Sequence, residues 1–176
     1  MSTSLYIGRF NPFHLGHIEA LKYIKDTKHV NSFLIGIGSA QESFTLINPL
    51  TGGERYQLIK TIVKNYDFLA NTDIDIIPLH DINNNNLWVS HVQSICPDFD
   101  VVFSNNRLVQ LLFRKVNIKV ESIPLISRNV YSGTKIREMI INNDTNWKGF
   151  VPKLIIPLLK EYNLEERLKI LSTNDK

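Results

Sequence analysis

Short runs of apolar, largely β-branched residues recur along this chain, and between them the apolar residues shift to helical spacing. Residues 4–8, 32–38, 73–78, 100–104 and 118–123 read as strands. Residues 17–28 place Ile18, Leu21 and Ile24 on one face of a helix, and residues 54–66 do the same with Tyr56, Ile59, Ile62, Val63 and Tyr66. Val89, Val92 and Cys96 line one side of 87–96, and Leu108, Leu111 and Leu112 line one side of the next segment. Such alternation predicts an α/β fold, a Rossmann-like doubly wound parallel sheet of about five strands with helices on both faces. A polar loop then leads to a helix over 132–142 and an apolar helix from about 152 to 162. The chain reads as a single domain over 1–176, with a core of about 1–142 and a C-terminal helical extension of about 146–171. The polar residues 172–176 are expected to fray.

A chain of 176 residues, 43% hydrophobic and 21% charged, can bury a core without disulfide or metal staples. Its single cysteine, Cys96, fits a reducing compartment. No apolar run approaches the roughly 20 residues of a membrane span. The opening MSTSLYIGRF has no charged segment followed by an apolar one, so a secretory leader is not expected. These features predict a soluble, cytoplasmic protein without a membrane partner. Net charge is +3 with Lys and Arg scattered singly, which suits an anionic small molecule and lacks the basic, aromatic-laced stripe of a nucleic-acid binder.

Ligands of a doubly wound sheet bind beyond the carboxyl ends of the strands. The loops after Gly8, Gly38, Pro78, Ser104 and Ile123 are therefore the ones to inspect, and residues 39–51 are too long for an ordinary βα turn, as a binding loop would be. In the first loop, GRFNPFHLGH, Gly8 ends a strand, Pro12 stiffens the turn and Gly16 permits close backbone approach. His14 and His17 project to one side of a helix start, either as capping histidines or, with Arg9, as an anion site. YSGTKIR, residues 131–137, opens another helix where Ser132 or Thr134 can cap and Arg137 lies one turn on. That segment is either a plain cap with a solvated arginine or a second phosphate grip. Trp88 falls off the Val89–Val92–Cys96 stripe, so it need not be core. It can stack on an aromatic ligand or pack under the Asn83–Asn86 loop. Asp26, Glu42 and Glu54 have no partner at metal-ligand spacing and read as surface groups, and His29, His80 and His91 read as structural.

GRFNPFHLGH resembles the (H/T)xGH signature of the nucleotidylyltransferase superfamily, and YSGTKIR resembles its second signature, (S/T)-x-x-(S/T)-x-x-R. GSAQ at 38–41 followed by NPLTGGER at 48–55 is similar to the GSAQ…NPFTAGER stretch of archaeal-type nicotinamide-nucleotide adenylyltransferases. DINNNNLWV at 81–89 is similar to that family's DIxxNxLWV segment, and SNNRLV at 104–109 to its SGNPLV turn. The match runs from about Tyr6 to Trp147. It implies transfer of the AMP part of ATP to nicotinamide mononucleotide or its acid form, giving NAD and pyrophosphate. It implies catalytic roles for His14, His17, Arg9 and Arg137. ATP would be bound by these together with Gly8, Phe10, Gly16, Arg55, Tyr131, Ser132, Gly133 and Thr134. The mononucleotide would be bound by Ser39, Gln41, Asp81, Asn85, Leu87, Trp88 and Asn106. Mg2+ would come held mainly by ATP phosphates, with no protein metal site, and a homo-oligomer is expected. The chain departs from the family pattern at Asn105, Arg107, Ile47 and Val130. The alternatives are a nucleotidyl transfer to pantetheine phosphate or another acceptor, and a nucleotide sensor without turnover.

Overall fold

Along β1 (Thr3–Gly8) the side chains alternate between two buried layers, Tyr6 entering one apolar cluster and Leu5 and Ile7 the other. β2 (Ser32–Ile37) repeats the pattern, with Phe33, Ile35 and Ile37 opposite Leu34. A strand apolar on both faces must be covered on both, which is the condition for a buried parallel sheet. The computed structural model describes residues 3–28, 32–124 and 131–174. Among these, β1 and β2 join β3 (Asp73–Pro78), β4 (Val101–Phe103) and β5 (Lys119–Glu121) in an all-parallel sheet of order β3-β2-β1-β4-β5. β3 is an edge strand, and its exposed Asp73 and Asp75 guard that edge against further pairing.

The chain winds outward from β1 to β3, then returns to build β4 and β5 on the other side of β1. Helices α1 (Leu15–Lys28) and α2 (Gly52–Asn65) cover the first apolar cluster, and α3 (Asn85–Ile95) and α4 (Arg107–Lys115) cover the second. α5 (Gly133–Ile141) returns to the first face. Winding reverses between β1 and β4, so the loops after Gly8 and Phe103 diverge there and leave a crevice.

The C-terminal extension differs from the single apolar helix expected over 152–162. Thr145–Phe150 and Lys153–Ile155 are 3-10 turns, followed by α6 (Ile156–Glu161) and α7 (Leu164–Asn174). Pro157 lies in the first turn of α6, where its missing N–H and fixed φ do no harm, so the helix begins there and not at Pro152. Asn163, with φ of 52°, separates α6 from α7. Trp147, Val151, Ile155, Leu159, Leu164 and Leu168 enter the same cluster as Tyr6 and Phe33. Helix continues through Asn174, so the expected fraying at 172–174 is not found.

Candidate active site

Helices α1, α4 and α5 all point their N-termini toward the crevice beyond β1 and β4. The crevice opens into a cleft of about 1140 Å³. Arg9, Arg107 and Arg137 line it, with Asp81 as the only carboxylate among the described lining residues. Free helix N–H groups and this cation excess make it a site for a polyanion.

In the first loop, the backbone N–H of His14 donates to Nδ1 of His17 at 3.1 Å. Nδ1 is thus an acceptor, which places the His17 proton on Nε2 and leaves that N–H free for a ligand. The His14 and His17 rings stack with centroids 3.7 Å apart. Burial, then the charge of Arg137, pushes the His14 pKa down to about 4. Burial, then His14, holds His17 well below the usual histidine range. Both rings are therefore neutral donors at neutral pH, and His14 Nδ1 is buried with no hydrogen-bond partner. A Cβ on Gly16 would lie 3.1 Å from His14 Nδ1 and from the Tyr131 Cβ, so only glycine lets the ring and Tyr131 close in here.

Asn11 stitches this loop to two others. Its Oδ1 accepts from the Leu50 N–H at 3.1 Å, and its carbonyl accepts from Arg137 Nη1 at 2.7 Å. Ser132 is the N-cap of α5, accepting from the Lys135 N–H at 3.1 Å, and Thr134 Oγ1 accepts from Arg137 Nη2 at 3.3 Å. Gly133 sits where a Cβ would come 3.0 Å from the Asn11 carbonyl. Burial, then Arg9, lowers the Arg137 pKa to about 10, so it stays a cation.

On the opposite wall, Asn84 caps α3 and Asn106 caps α4, its Oδ1 accepting from the Leu108 and Val109 N–H groups. Asn83, Asn84, Asn85, Trp88, Asn105, Asn106 and Ser39 line the cleft. Trp88 is only 8% exposed and meets Phe113 edge to face at 5.7 Å, so the expectation that it need not be core is corrected. Helical spacing missed this because α3 packs on α4 as well as on the sheet, which widens its buried face.

Several expected ligand contacts are placed elsewhere. Arg55 is fully buried beneath the loops and spends its guanidinium on backbone carbonyls, so it does not line the cleft. Gln41 lies outside it too, its Oε1 accepting from the Asp81 N–H at 3.0 Å. Leu87 and Ile47 are exposed away from it. Of the long 39–51 loop, only Ser39 reaches the lining. Glu54 is no solvated surface group, since it forms a capping box with Thr51 and a two-point ion pair with Arg167 at 2.7 and 2.9 Å. Sequence reading missed Asn11 as a tie, although NP recurs at 11–12 and 48–49 in the two segments it joins. Asn105 has its own reason: it exchanges two 3.0 Å hydrogen bonds with the backbone of Ile123. His80 is exposed, and His29 and Val130 lie outside the described residues.

A model of the cytidylyltransferase-like family matches residues 5–139. A Thermoplasma volcanium protein named nicotinamide-nucleotide adenylyltransferase is 43% identical over 96% of this chain and 92% of its own length. One of the same name from Methanolobus tindarius is 43% identical over 100% of this chain and 98% of its own. The chain belongs to the nicotinamide-nucleotide adenylyltransferase family. Solved structures agree on the fold. A bifunctional NMN adenylyltransferase/ADP ribose pyrophosphatase from Francisella tularensis, complexed with AMP and a Mn ion, superposes with a TM-score of 0.71 at 18% identity. The match covers 99% of this chain and 52% of that one, so this chain spans about half of the bifunctional protein. Plasmodium falciparum nicotinic acid mononucleotide adenylyltransferase gives a TM-score of 0.62 at 14% identity, over 94% of this chain and 97% of that one. Within this nicotinamide-nucleotide adenylyltransferase fold, the cleft gathers His14, His17, Arg9 and Arg137 on one side and Asp81, Asn85, Trp88 and Asn106 on the other.

Proposed function

We propose that this chain joins ATP to nicotinamide mononucleotide, or to its acid form, with release of pyrophosphate and formation of the dinucleotide. The observation that carries this reading is the stacked His14–His17 pair at the start of α1, beside Arg137 and the capped N-terminus of α5, in one arginine-rich cleft. The named relatives supply the identity of the acceptor. The mononucleotide phosphate attacks the α-phosphorus in line. Its second pKa is about 6, so it is mostly a dianion at neutral pH and needs no general base. The chain's task is alignment and stabilisation of charge on the leaving pyrophosphate. His14 and His17 donate to the α- and β-phosphates, Arg137 and the Ser132–Thr134 amides hold the β/γ end, and Arg9 closes over the first loop. Asp81, Asn85, Trp88, Asn106 and Ser39 form the mononucleotide side.

Among the described residues no cluster of three His, Cys, Asp or Glu side chains could hold a metal ion. The substrate is read as the Mg2+–ATP complex, its ion carried by phosphates and water. Among the described residues no helix is long and apolar enough to cross a membrane. We assign a cytoplasmic location and a homo-oligomer to the same reading, the latter tested by sedimentation velocity.

The experiment is pyrophosphate release with Mg2+–ATP and, in parallel, nicotinamide mononucleotide, its acid form, phosphopantetheine or no acceptor. Release with a pyridine mononucleotide and an equal yield of dinucleotide is expected. Release with phosphopantetheine alone would move the acceptor assignment, and ATP binding without release from any acceptor would make the chain a sensor.

A further inference from the structure

Arg55 carries a charge into the interior with no carboxylate of its own. It is fully buried, and the adjacent Glu54 gives its oxygens to Arg167 and to the Thr51 N–H. Arg55 donates only to backbone carbonyls. Nη1 reaches those of Arg9 at 3.1 Å and Gly38 at 2.9 Å. Nη2 reaches those of Ser39 at 2.9 Å, Glu42 at 3.1 Å and Ala40 at 3.4 Å, and Nε that of Thr51 at 3.3 Å. Each of the three guanidinium nitrogens is engaged, which is the condition for burying such a group.

Two of those carbonyls matter for the cleft. In a trans peptide the C=O of one residue and the N–H of the next point in opposite directions. With the Arg9 and Gly38 carbonyls turned down onto Nη1, the N–H groups of Phe10 and Ser39 are turned away from it. Both residues are left-handed, with φ of 51° and 49°, and both line the cleft while Arg55 does not. The two turns are held side by side, because the Gly38 N–H donates to the Gly8 carbonyl at 2.9 Å. Backbone N–H groups that turns present side by side form concavities for anions.

We propose that Arg55 is a positioning residue of the transfer reaction: from beneath the cleft it orients the Arg9–Phe10 and Gly38–Ser39 peptides so that the Phe10 and Ser39 amides together receive an anionic phosphate oxygen. This rests on the nucleotidyl-transfer reading above. It separates the role of Arg55 from that of Arg9 and Arg137, which line the cleft themselves. Lysine cannot replace Arg55, because one ammonium has three donors on one nitrogen and cannot span carbonyls contributed by two loops.

The test compares Arg55→Lys and Arg55→Met with Arg167→Met, which breaks the Glu54 ion pair and leaves Arg55 in place. Urea unfolding gives the folded fraction, and turnover and KM are measured per folded molecule. The Arg55 variants should lose on the order of 100-fold in kcat, as misplacing catalytic groups by about 1 Å does. KM should change much less than kcat, and Arg167→Met should be less stable with nearly unchanged kcat. Arg55→Lys with turnover close to the parent protein, or Arg167→Met with an equal loss of kcat, overturns the proposal. A titration of the unmodified protein with inorganic phosphate, standing in for the acceptor phosphate on the Ser39 side of the cleft and followed by amide resonances, covers variants that fail to fold. The Phe10 and Ser39 amides should shift strongly. If they stay put while the His14 and His17 signals move, the cradle does not exist. Because that titration needs no turnover, it stands or falls separately from the identity of the reaction.

Discussion

Two imidazoles stacked at 3.7 Å inside a cleft that also holds Arg137 are a poor place for protons, and this governs how the histidines can act. In the proposed transfer they act as neutral hydrogen-bond donors whose value appears when negative charge develops between them. Losing one such donor costs about 3–4 kcal/mol at the transition state. His17→Ala should therefore lower kcat by about 10²–10³-fold with an unchanged circular dichroism spectrum, and near-normal turnover would remove His17 from the reaction. The same burial has a consequence for acid stability. The folded pKa of His14 is about 4 against an ordinary value of 6.5, so protonation favours the unfolded chain. Its contribution is fully present above pH 6.5 and is lost as pH falls toward 4. Urea midpoints between those values should fall less steeply for His14→Gln. Trp88 packs on Phe113 and also lines the cleft, so under the proposed function packing and recognition mix there. Trp88→Ala should lose about 3–5 kcal/mol of stability by opening a cavity against Phe113. Trp88→Phe is the cleaner probe, and it should raise the mononucleotide KM more than the ATP KM.

At the scale of elements, caps and ties decide where the loops stand. The start of α2 is fixed by the Thr51–Glu54 capping box, and Glu54 in turn holds Arg167 on α7. Burial alone would raise the Glu54 pKa, but hydrogen bonds from Arg167 and Thr51 and the arginine's charge outweigh it and hold the carboxyl below its ordinary 4.5. A lowered carboxyl pKa stabilises the fold above 4.5, and the effect disappears as pH drops through the folded value. Glu54→Gln should thus cost about 1.5–3 kcal/mol at pH 7, the usual worth of hydrogen bonds to charged groups. The difference from the parent should shrink below pH 4.5 in denaturation midpoints. The strands and first four helices were legible in their apolar spacing to within a few residues. The start of α6 at Ile156 and the break at Asn163 were not read from the apolar run over 152–162, although Pro157 is a helix-start residue and Asn163 a turn residue.

For the whole molecule, the reversal of winding between β1 and β4 makes the cleft, and the C-terminal helices brace its back. Leu164 and Leu168 of α7 share a core with Tyr6 and Phe33, while Arg167 donates to the Pro49 carbonyl on the long loop. A chain ending after Tyr162 should therefore lose cooperative thermal unfolding. A sharp transition in circular dichroism from such a truncation would show that α7 is dispensable to the core. The long loop reads in the sequence as a binding loop with Ser39 and Gln41 as its contacts; Ser39 lines the cleft, and the rest serves as scaffold, carried by Arg55 and Arg167.

What the sequence by itself determined is whatever depends on local spacing. This includes the parallel sheet, the two histidines on one side of a helix start, the cap before Arg137, and the motifs that carry the family resemblance. Tertiary structure alone decided which polar groups face the ligand and which face the backbone. Arg9, Arg55 and Arg137 are the same residue type in similar motifs, yet Arg55 turns inward to carbonyls from two separate loops. Those carbonyls belong to residues up to 46 positions away, and no local pattern records which unpaired backbone groups the fold will bury beside a given side chain.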